Sequence, residues 1–439
     1  MLLVWSLAAC VAQPIPQAPP VLTSDTELAE TGATTPVVEI PALADALGDC
    51  GGTFVTPPSH PNQLLPGRDL HRLILDDPAA VCNDGTPAVL YVRAATDPEH
   101  LDDWVLHLQG GSHCTTYEEC QVRWCGSGYY DASKMSSTWT PETIGGAGIY
   151  LPNASQNKFA GYNHAVFYYC SSDVWQGQSG ATLTGVDGAQ LRVERRGHLI
   201  LEAGIAALES GATSDSGEQA LPSILDASTV LFTGTSGGSV GAQMHLDWLR
   251  ARWPDPIGLV GVFDAAISPD PSTVSQAVAD KLDADAAAEQ AHLTADGDLP
   301  LFAEESCVAG VPEADRWQCA NSTRLPYRWV DTPFLARMDL EDGPTGGAYA
   351  AAGATPAEFS NGVAASLALI AARSVDGRLA GAYGPACGAH IGLEEDAWFF
   401  RHPVATAEGP VTLEMAVSRY QGGQDVSVID AAHTASECR

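Results

Sequence analysis

The chain has 439 residues, of which 45% are hydrophobic, and this allows one large α/β domain or two smaller ones. Its 54 Asp and Glu residues outnumber its 21 Lys and Arg residues, so the formal net charge is −33. This charge argues against nucleic acid and anionic membrane surfaces as partners, because both repel an acidic protein.

The N-terminal segment predicts export. Residues 1–10 are apolar and end in Leu7-Ala-Ala-Cys10, which resembles the signal of a bacterial lipoprotein, where the cysteine is lipidated. The segment is short and lacks the positive residues of a usual signal peptide, so an ordinary signal peptide cleaved further on stays the alternative. Residues 11–47 are rich in Pro, Ala and Thr and predict a disordered tether. We expect the folded domain at 48–439, and no other stretch of the sequence is suited to span a bilayer.

The cysteines indicate disulfide bonds. The chain has 11 cysteines, of which ten follow Cys10. An even number in an exported protein predicts disulfides. Zinc binding is the alternative, but the spacings are irregular and no Cys-x-x-Cys pair occurs. Short separations favour the pairs Cys114–Cys120 and Cys307–Cys319.

Predicted strands and helices alternate along the chain. Apolar runs predict buried strands, and apolar residues at helical spacing predict helices. In order, the predicted elements are strands at 88–95, 104–108 and 164–170, a helix at 186–209, a strand at 229–233, a helix at 240–253, a strand at 257–263, an acidic helical cap insertion at 270–325, a strand at 333–338 and a helix at 355–374. This alternation predicts a mostly parallel sheet covered by helices on both faces.

One turn of this sheet carries a candidate nucleophile. The strand at 229–233 leads into Gly234-Thr-Ser-Gly-Gly238, and a helix follows. This context is typical of a nucleophile elbow, a tight strand-to-helix turn that exposes a serine. Because the chain has 43 glycines, an ordinary glycine-rich turn is the alternative. The context favours Ser236 as a nucleophile.

A second glycine-rich turn follows an earlier strand. Gln109-Gly-Gly-Ser-His-Cys114 comes directly after the strand at 104–108. Hydrolases with a nucleophile elbow place oxyanion donors in such an early loop, at the carboxyl end of a strand. An ordinary turn is again the alternative.

The carboxylates after Ser236 include a candidate acid. In α/β hydrolases the chain order is Ser, then Asp or Glu, then His. Asp339, Glu341 and Asp342 follow a predicted strand. If that strand stays extended, Asp339 and Glu341 lie on one face and Asp342 on the other. Asp342 precedes Gly343-Pro344, a turn signal, which favours it without excluding the other two.

Three histidines follow this carboxylate cluster. They are His390, His402 and His433. His390 lies in a Gly/Ala-flanked loop beside Cys387, and a disulfide there would hold the loop in place. His402 lies in Phe399-Phe-Arg-His-Pro403, and we expect it to be structural. His390 is therefore the candidate general base.

Four stretches together resemble the pectin acetylesterase/Notum family of serine carboxylesterases. The stretches are Leu108-Gln-Gly-Gly-Ser-His-Cys114 with Glu118-Glu-Cys120, Tyr169-Cys-Ser-Ser-Asp-Val-Trp-Gln-Gly177, Gly234-Thr-Ser-Gly-Gly238 and Cys387-Gly-Ala-His390. They are similar to the family segments L-E-G-G-x-x-C…E-x-C, Y-C-S-S-D-x-W-x-G, G-[TS]-S-A-G-G and C-x-S-H. The resemblance covers roughly residues 85–400.

The resemblance implies a fold and a set of site residues. The fold is α/β-hydrolase-like, and the catalytic residues are Ser236 as nucleophile, His390 as general base and Asp342 as the orienting acid. Asp342 is implied because the family's acid is the tenth residue counted from a proline that opens a strand, here Pro333.

The resemblance also implies an oxyanion hole. Its donors are the backbone amides of Gly111, Ser112 and Gly237. The sequence departs from the family at Gln109, at Ser112-His113 and at Gly237, which stands where Ala is usual. The first two departures bear on substrate specificity more than on the chemistry.

The sequence as a whole predicts an exported serine carboxylesterase. We expect an ester substrate, either an acetyl ester of a polysaccharide or another O-acyl ester, and a monomer that needs neither cofactor nor metal. A catalytically silent carbohydrate- or protein-binding relative with the same fold is the alternative, and peptidase activity ranks below it.

Overall fold

The computed structural model describes residues 41–48, 50–57, 64–255, 257–294, 301–321, 324–431 and 438. The predicted signal segment with Cys10 and the predicted tether as far as residue 40 lie outside the described residues, as does His433. Within the described part, no helix has the length and apolar character needed to cross a membrane.

The folded part begins before the predicted boundary at residue 48. A short helix, α1 (Leu43–Leu47), buries both of its leucines. Four residues apart on a helix, they face the same side, where they join a small core with Leu191 and Val193. The predicted end of the tether at residue 47 is therefore wrong, because these two leucines belong to a core.

Ten strands form the central sheet within the described residues. In chain order they are β1 (Leu65–Ile74), β2 (Val89–Arg93), β3 (Asp103–Leu108), β4 (Thr143–Gly145), β5 (Asn163–Phe167), β6 (Thr229–Thr235), β7 (Gly258–Asp264), β8 (Phe334–Arg337), β9 (Gly381–Gly384) and β10 (Ser427–Ile429). The spatial order is β10-β9-β8-β7-β6-β3-β5-β2-β1-β4.

The sheet is parallel over most of its width. All neighbours from β10 to β5 run parallel. At the other edge, β2 is antiparallel to β5, and β1 is antiparallel to β2 and β4. The parallel part was predicted. The three-strand antiparallel edge was not, because sequence patterns show which segments are strands but not which of them pair.

Helices cover the sheet. After α1 they are α2 (Tyr117–Trp124), α3 (Gly197–Glu209), α4 (Gly237–Arg252), α5 (Gln276–Thr294), α6 (Glu305–Gly310), α7 (Leu325–Arg328), α8 (Gly343–Ala351), α9 (Pro356–Ala371), α10 (Asp396–Phe400) and α11 (Leu413–Gln421). Helix α4 packs against β6 and β7, and α9 packs against β9 and β10. This α/β-hydrolase arrangement of a mostly parallel sheet with helices agrees with the predicted fold class.

The register of the parallel strands brings the ends of four strands to one edge of the sheet. Thr235 at the end of β6 pairs with Asp264 at the end of β7, and Asp264 pairs with Arg337 at the end of β8. Strand β3 ends beside Gly234. Ligands of parallel α/β sheets bind at this carboxyl edge.

The predicted helix at 186–209 is only partly present. Its first part contains Gln190–Arg195, which pairs with Ser179–Thr184 as a two-stranded hairpin, and α3 begins at Gly197. In the second hairpin strand Leu191, Val193 and Arg195 are buried while their neighbours are more exposed. That alternation has a period of two, which is the signature of a strand. The helical prediction was wrong here because the short apolar spacings in this segment fit the period of a strand as well as that of a helix.

The insertion between β7 and β8 is helical, as predicted. It contains α5, α6, a 3₁₀ segment at Glu313–Ala320 and α7. Its described part packs beside α4. Cys307 and Cys319 close a loop within it through a disulfide.

All ten cysteines after Cys10 are paired. The bonds are Cys50–Cys125, Cys82–Cys170, Cys114–Cys120, Cys307–Cys319 and Cys387–Cys438. The two pairs predicted from short separations are confirmed. The other three join distant segments, and spacing alone does not identify such pairs.

We expect few free thiols in the unfolded, unreduced protein, because every cysteine after Cys10 has a disulfide partner. A thiol-reactive dye in denaturant measures this directly, and reduction beforehand should release the thiols. A count of about eight or more free thiols before reduction would contradict the pairing.

Candidate functional site

The candidate nucleophile lies on a strained turn between β6 and α4. Ser236 has φ 54° and ψ −121°, a backbone conformation that residues other than glycine rarely adopt. Such strain costs on the order of 1–3 kcal/mol and is often found at functional sites. The hydrogen bond from the Ser236 amide to the Asp264 carbonyl, at 2.9 Å, holds the turn against β7.

Glycines allow this turn to form. A Cβ at Gly234 would lie 2.1 Å from the Gly238 carbonyl oxygen, and a Cβ at Gly238 would lie 1.9 Å from the Leu108 carbonyl oxygen. Both distances are far below van der Waals contact. Any side chain at either position would therefore push β6, α4 and β3 apart.

The structure brings Ser236, His390 and Asp342 together. His390 Nε2 lies 2.9 Å from Ser236 Oγ, and His390 Nδ1 lies 2.7 Å from Asp342 Oδ2. The histidine side chain is 30% exposed, whereas the Asp342 side chain is fully buried. Histidine therefore faces the solvent side, and the carboxylate behind it is shielded from water.

Asp342 is held by a helix N-terminus. It is the N-cap of α8, where its Oδ1 accepts a hydrogen bond from the Thr345 amide at 2.8 Å. The cap holds Oδ1 so that Oδ2 faces His390. The chain does not stay extended through Asp342, since β8 ends at Arg337 and the Asp342 amide donates to the Asp339 carbonyl in a turn.

Asp339 lies near the site but binds other groups. Its Oδ1 forms an ion pair with Arg337, and its Oδ2 accepts the Ala389 amide at 2.7 Å. Burial raises the pKa of Asp339 to about 6, although the Arg337 guanidinium acts in the opposite direction. Asp339 therefore fixes the loop before His390, whereas Asp342 contacts the imidazole itself.

A buried arginine, missed by the sequence analysis, joins these elements. Arg337 is 2% exposed and contacts Asp264 at 2.8 Å as well as Asp339. Its guanidinium also donates to the carbonyls of Ala389, at 3.1 Å, and His390, at 3.0 Å. Burial alone would lower the pKa of Arg337, but the two carboxylates outweigh burial and raise it. The only sequence signal was a charged residue within the apolar strand at 333–338.

The loop after His390 is anchored as well. Asp264 Oδ2 accepts the amides of Gly392 and Leu393, each at 2.7 Å. Before the histidine, Cys387 is bonded to Cys438. The expectation that a disulfide holds this loop is confirmed. His402 instead stacks on Trp398, with ring centroids 4.1 Å apart, and does not join the site.

Three backbone amides lie beside Ser236. An ideal Cβ at Gly237 would lie 3.6 Å from the Ser112 nitrogen and 3.8 Å from the Gly111 nitrogen, so the predicted oxyanion donors are neighbours. Gly111 and Ser112 have φ of 152° and 55°. At Gly111 a Cβ would lie 2.8 Å from the Tyr169 ring, which explains the glycine.

The loop after β5 holds the Gln109–Ser112 segment in place through hydrogen bonds. Tyr169 Oη donates to the Ser112 carbonyl at 2.8 Å, and Trp175 Nε1 donates to the Gln109 carbonyl at 3.0 Å. Buried Asp173 accepts the amides of Trp175, Gly177 and Gly197 at 2.8–3.1 Å. The Tyr-Cys-Ser-Ser-Asp-Val-Trp stretch thus acts as a platform for the oxyanion loop.

Ser236 and His390 line an open cavity of about 680 Å³. Its wall includes the loop at Ser112-His113, the aromatic pair Tyr129-Tyr130, residues of helix α8, and Ile391, Glu395 and Trp398. Both apolar and polar side chains line it. No residue of the described part of the helical insertion from 276 onward belongs to this wall.

Comparison with known proteins gives the following matches. A family model described as Pectinacetylesterase matches residues 68–282. The palmitoleoyl-protein carboxylesterase NOTUM of Drosophila melanogaster is 28% identical over 63% of this chain and 38% of that relative. Notum2 of Xenopus laevis, another palmitoleoyl-protein carboxylesterase, is 28% identical over 62% of this chain and 52% of its own length. The chain thus spans about half or less of these two relatives.

Two further matches bear on family and fold. An inactive palmitoleoyl-protein carboxylesterase, notum1b of Danio rerio, is 35% identical over 25% of this chain and 74% of that relative. A crystal structure of the Wnt deacylase Notum from Drosophila superposes with a TM-score of 0.62 at 22% identity, over 83% of this chain and 97% of the other. At this identity the superposition shows a shared fold.

Proposed function

Because the chain belongs to the pectin acetylesterase/Notum family, we propose that it is a carboxylic ester hydrolase with Ser236 as nucleophile, His390 as general base and Asp342 as orienting acid. One observation carries the proposal. Asp342, His390 and Ser236 form a continuous hydrogen-bond chain, with distances of 2.7 Å and 2.9 Å, at the wall of an open cavity. This is the arrangement that activates a serine hydroxyl.

The acylation step follows from this arrangement. Ser236 Oγ attacks the ester carbonyl carbon while its proton passes to His390 Nε2. Asp342 accepts the Nδ1–H, which keeps Nε2 free to take the proton, and it stabilises the imidazolium that forms. The tetrahedral intermediate collapses as the ester bond to the alcohol breaks, and the alcohol takes the proton from Nε2.

Deacylation repeats the chemistry with water. A water molecule gives a proton to His390 Nε2 and attacks the acyl-enzyme carbonyl. The second tetrahedral intermediate releases the carboxylic acid, and Ser236 Oγ regains its proton from the imidazolium. No atom or electron from another group is required.

The negative oxygen of both intermediates needs donors. The amides of Gly111, Ser112 and Gly237 are proposed for this role, since the nitrogens of Gly111 and Ser112 lie beside Gly237, the residue after Ser236. Gly237 opens α4, so the positive end of that helix dipole adds to the stabilisation. Donors fixed before the reaction cost no reorganisation in the transition state.

The proposed substrate is an O-acyl ester. The matching family model is named for pectin acetyl esters, and the relatives NOTUM and notum2 are named as palmitoleoyl-protein carboxylesterases. A cavity of about 680 Å³ is within the size range of small-molecule sites and admits an acyl group with part of its alcohol.

We propose in addition that the protein is exported, either lipidated at Cys10 or as a secreted protein. The five disulfides support this, because such bonds persist in oxidising compartments. The thiol measurement described above is its test, since largely reduced cysteines would contradict export.

A catalytically silent relative is the second candidate, since notum1b is named inactive. In this chain Ser236, His390 and Asp342 are all present and hydrogen-bonded, which favours activity. Hydrolysis of p-nitrophenyl acetate, compared with longer p-nitrophenyl esters, separates the two candidates and measures acyl preference at the same time.

Ser236→Ala should abolish ester hydrolysis and leave folding intact, because the hydroxyl faces the cavity. Loss of a serine nucleophile costs on the order of a millionfold in kcat in a well-studied hydrolase. Steady-state hydrolysis of p-nitrophenyl acetate measures the loss, and the thermal transition controls for folding. Substantial activity in the pure variant would show that another residue attacks the ester.

Asp342→Asn should lower kcat by several orders of magnitude, because the imidazole loses its charge partner and its orientation. A change of this kind costs about ten-thousandfold in a serine protease. Asp339→Asn is the matched control, with a carboxylate three residues away that contacts Arg337 and not the imidazole. It should lower thermal stability with a much smaller effect on kcat. The opposite pattern would make Asp339 the acid.

A further inference from the structure

A lysine lies buried directly beneath the proposed oxyanion loop. Lys134 ends a 3₁₀ turn at Ala132–Lys134 and has no exposed surface. Its Nζ donates to the Gly110 carbonyl oxygen at 3.2 Å. Its alkyl chain packs against Gly111, where a Cβ would lie 3.2 Å from Lys134 Cδ. Burying an ammonium is costly, so its presence in the core requires a physical reason.

The contact with Gly110 determines where one amide points. The Gly110 carbonyl and the Gly111 N–H belong to the same trans peptide, in which the two groups point in opposite directions. With the carbonyl held toward Lys134, the Gly111 N–H is directed to the other side of the loop. That side faces Gly237, whose ideal Cβ would lie 3.8 Å from the Gly111 nitrogen.

We propose that Lys134 is a positioning residue that orients the Gly110–Gly111 peptide toward Ser236 and, through its positive charge, strengthens the Gly111 amide as a donor to the oxyanion. The inference rests on the proposed ester hydrolysis. An ammonium that donates a hydrogen bond to the Gly110 carbonyl polarises the whole Gly110–Gly111 peptide, so the Gly111 N–H becomes a stronger donor. The positive charge in a water-poor interior also favours a developing negative charge nearby.

The charged groups around Lys134 come from several elements. Glu394, which follows the His390 loop, and Asp131 on its own turn favour the ammonium, whereas Arg123 of α2 disfavours it. The ring of Tyr168, after β5, lies 5.7 Å from Nζ. Burial is the largest influence and lowers the pKa of Lys134 to about 7.

This environment gives the inference a pH signature. Below pH about 7 Lys134 carries its charge, and as the pH rises through that value the charge is lost. The kcat of the wild type should therefore fall as the pH rises above about 7 and Lys134 loses its proton. The free energy of unfolding changes in the opposite direction and rises with pH between about 7 and 10, because the unfolded chain binds the Lys134 proton more tightly than the folded chain does in this range. The ammonium thus destabilises the fold most at or below neutral pH.

The test compares Lys134→Met with the wild type. Methionine keeps an unbranched apolar chain but removes the donor and the charge. We expect kcat for p-nitrophenyl acetate to fall about tenfold to a hundredfold, less than for removal of a whole oxyanion donor, with KM within about twofold. The alkaline fall of kcat should disappear, and the thermal transition at pH 6 should stay the same or rise. Lys158→Met is the matched control, since the Lys158 side chain is 57% exposed, and it should behave as the wild type.

The outcomes separate this inference from the proposed function. Absence of Ser236-dependent hydrolysis in the wild type overturns both. Ser236-dependent hydrolysis whose kcat stays flat from pH 6 to 9 in the wild type overturns the role of Lys134 alone, even where Lys134→Met does not fold. So does a folded Lys134→Met variant with wild-type kcat and pH profile.

Discussion

The proposed site depends on one buried cation. The Arg337 guanidinium lies between Asp264 and Asp339 at the ends of neighbouring strands and also binds the carbonyls of the segment that carries His390. A buried ion pair adds little net stability compared with apolar residues, but removing one partner costs about 3–5 kcal/mol, since an unpaired charge remains. The cluster therefore ties the His390 loop to the sheet more than it adds to the stability of the fold. Because Arg337 links the ends of β7 and β8 to the His390 segment, the register of these two strands determines the position of the imidazole.

Backbone strain is concentrated at the same edge of the sheet. Non-glycine residues with positive φ follow the carboxyl ends of β3, β5, β6 and β7; they are Ser112, Ser172, Val174, Trp175, Ser236, Ala265 and Ala266. Each costs free energy that surrounding structure must offset. Two disulfides, Cys82–Cys170 and Cys114–Cys120, join these loops and reduce the number of unstrained backbone conformations that the loops can adopt. The proposed oxyanion amides are thus fixed before any substrate arrives.

The sequence was most informative where local chemistry requires particular residue types. The elbow around Ser236 needs glycines at close backbone contacts, and these are visible in the sequence. Asp342 precedes a turn signal, and the structure places it as an N-cap facing His390. The face alternation of an extended strand does not apply here, because β8 ends at Arg337 and a turn leads to Asp342. Asp342 was favoured by the turn signal and by the family spacing from Pro333.

What the sequence did not reveal depends on contacts between distant segments. The roles of Arg337 and Lys134 depend on partners that lie from about twenty to seventy residues away along the chain, such as Gly110 and Asp264. Periodicity carries no information about such pairs. The hairpin strand before α3 has short apolar spacings that fit both helix and strand, and those spacings do not reveal its packing against α1. Local patterns predicted the parallel sheet and the candidate nucleophile, whereas the buried charges that hold the loops required coordinates.

The proposed mechanism requires that Ser236 is a nucleophile activated by His390. Covalent labelling with a fluorophosphonate, followed by peptide mass spectrometry, tests it most directly, since the reagent forms a stable adduct with an activated serine and mimics the tetrahedral intermediate. We expect one phosphonylated residue, Ser236, and loss of labelling when the protein is unfolded or when His390 is replaced by alanine. Labelling of a different residue, or none in the folded wild type, would contradict it.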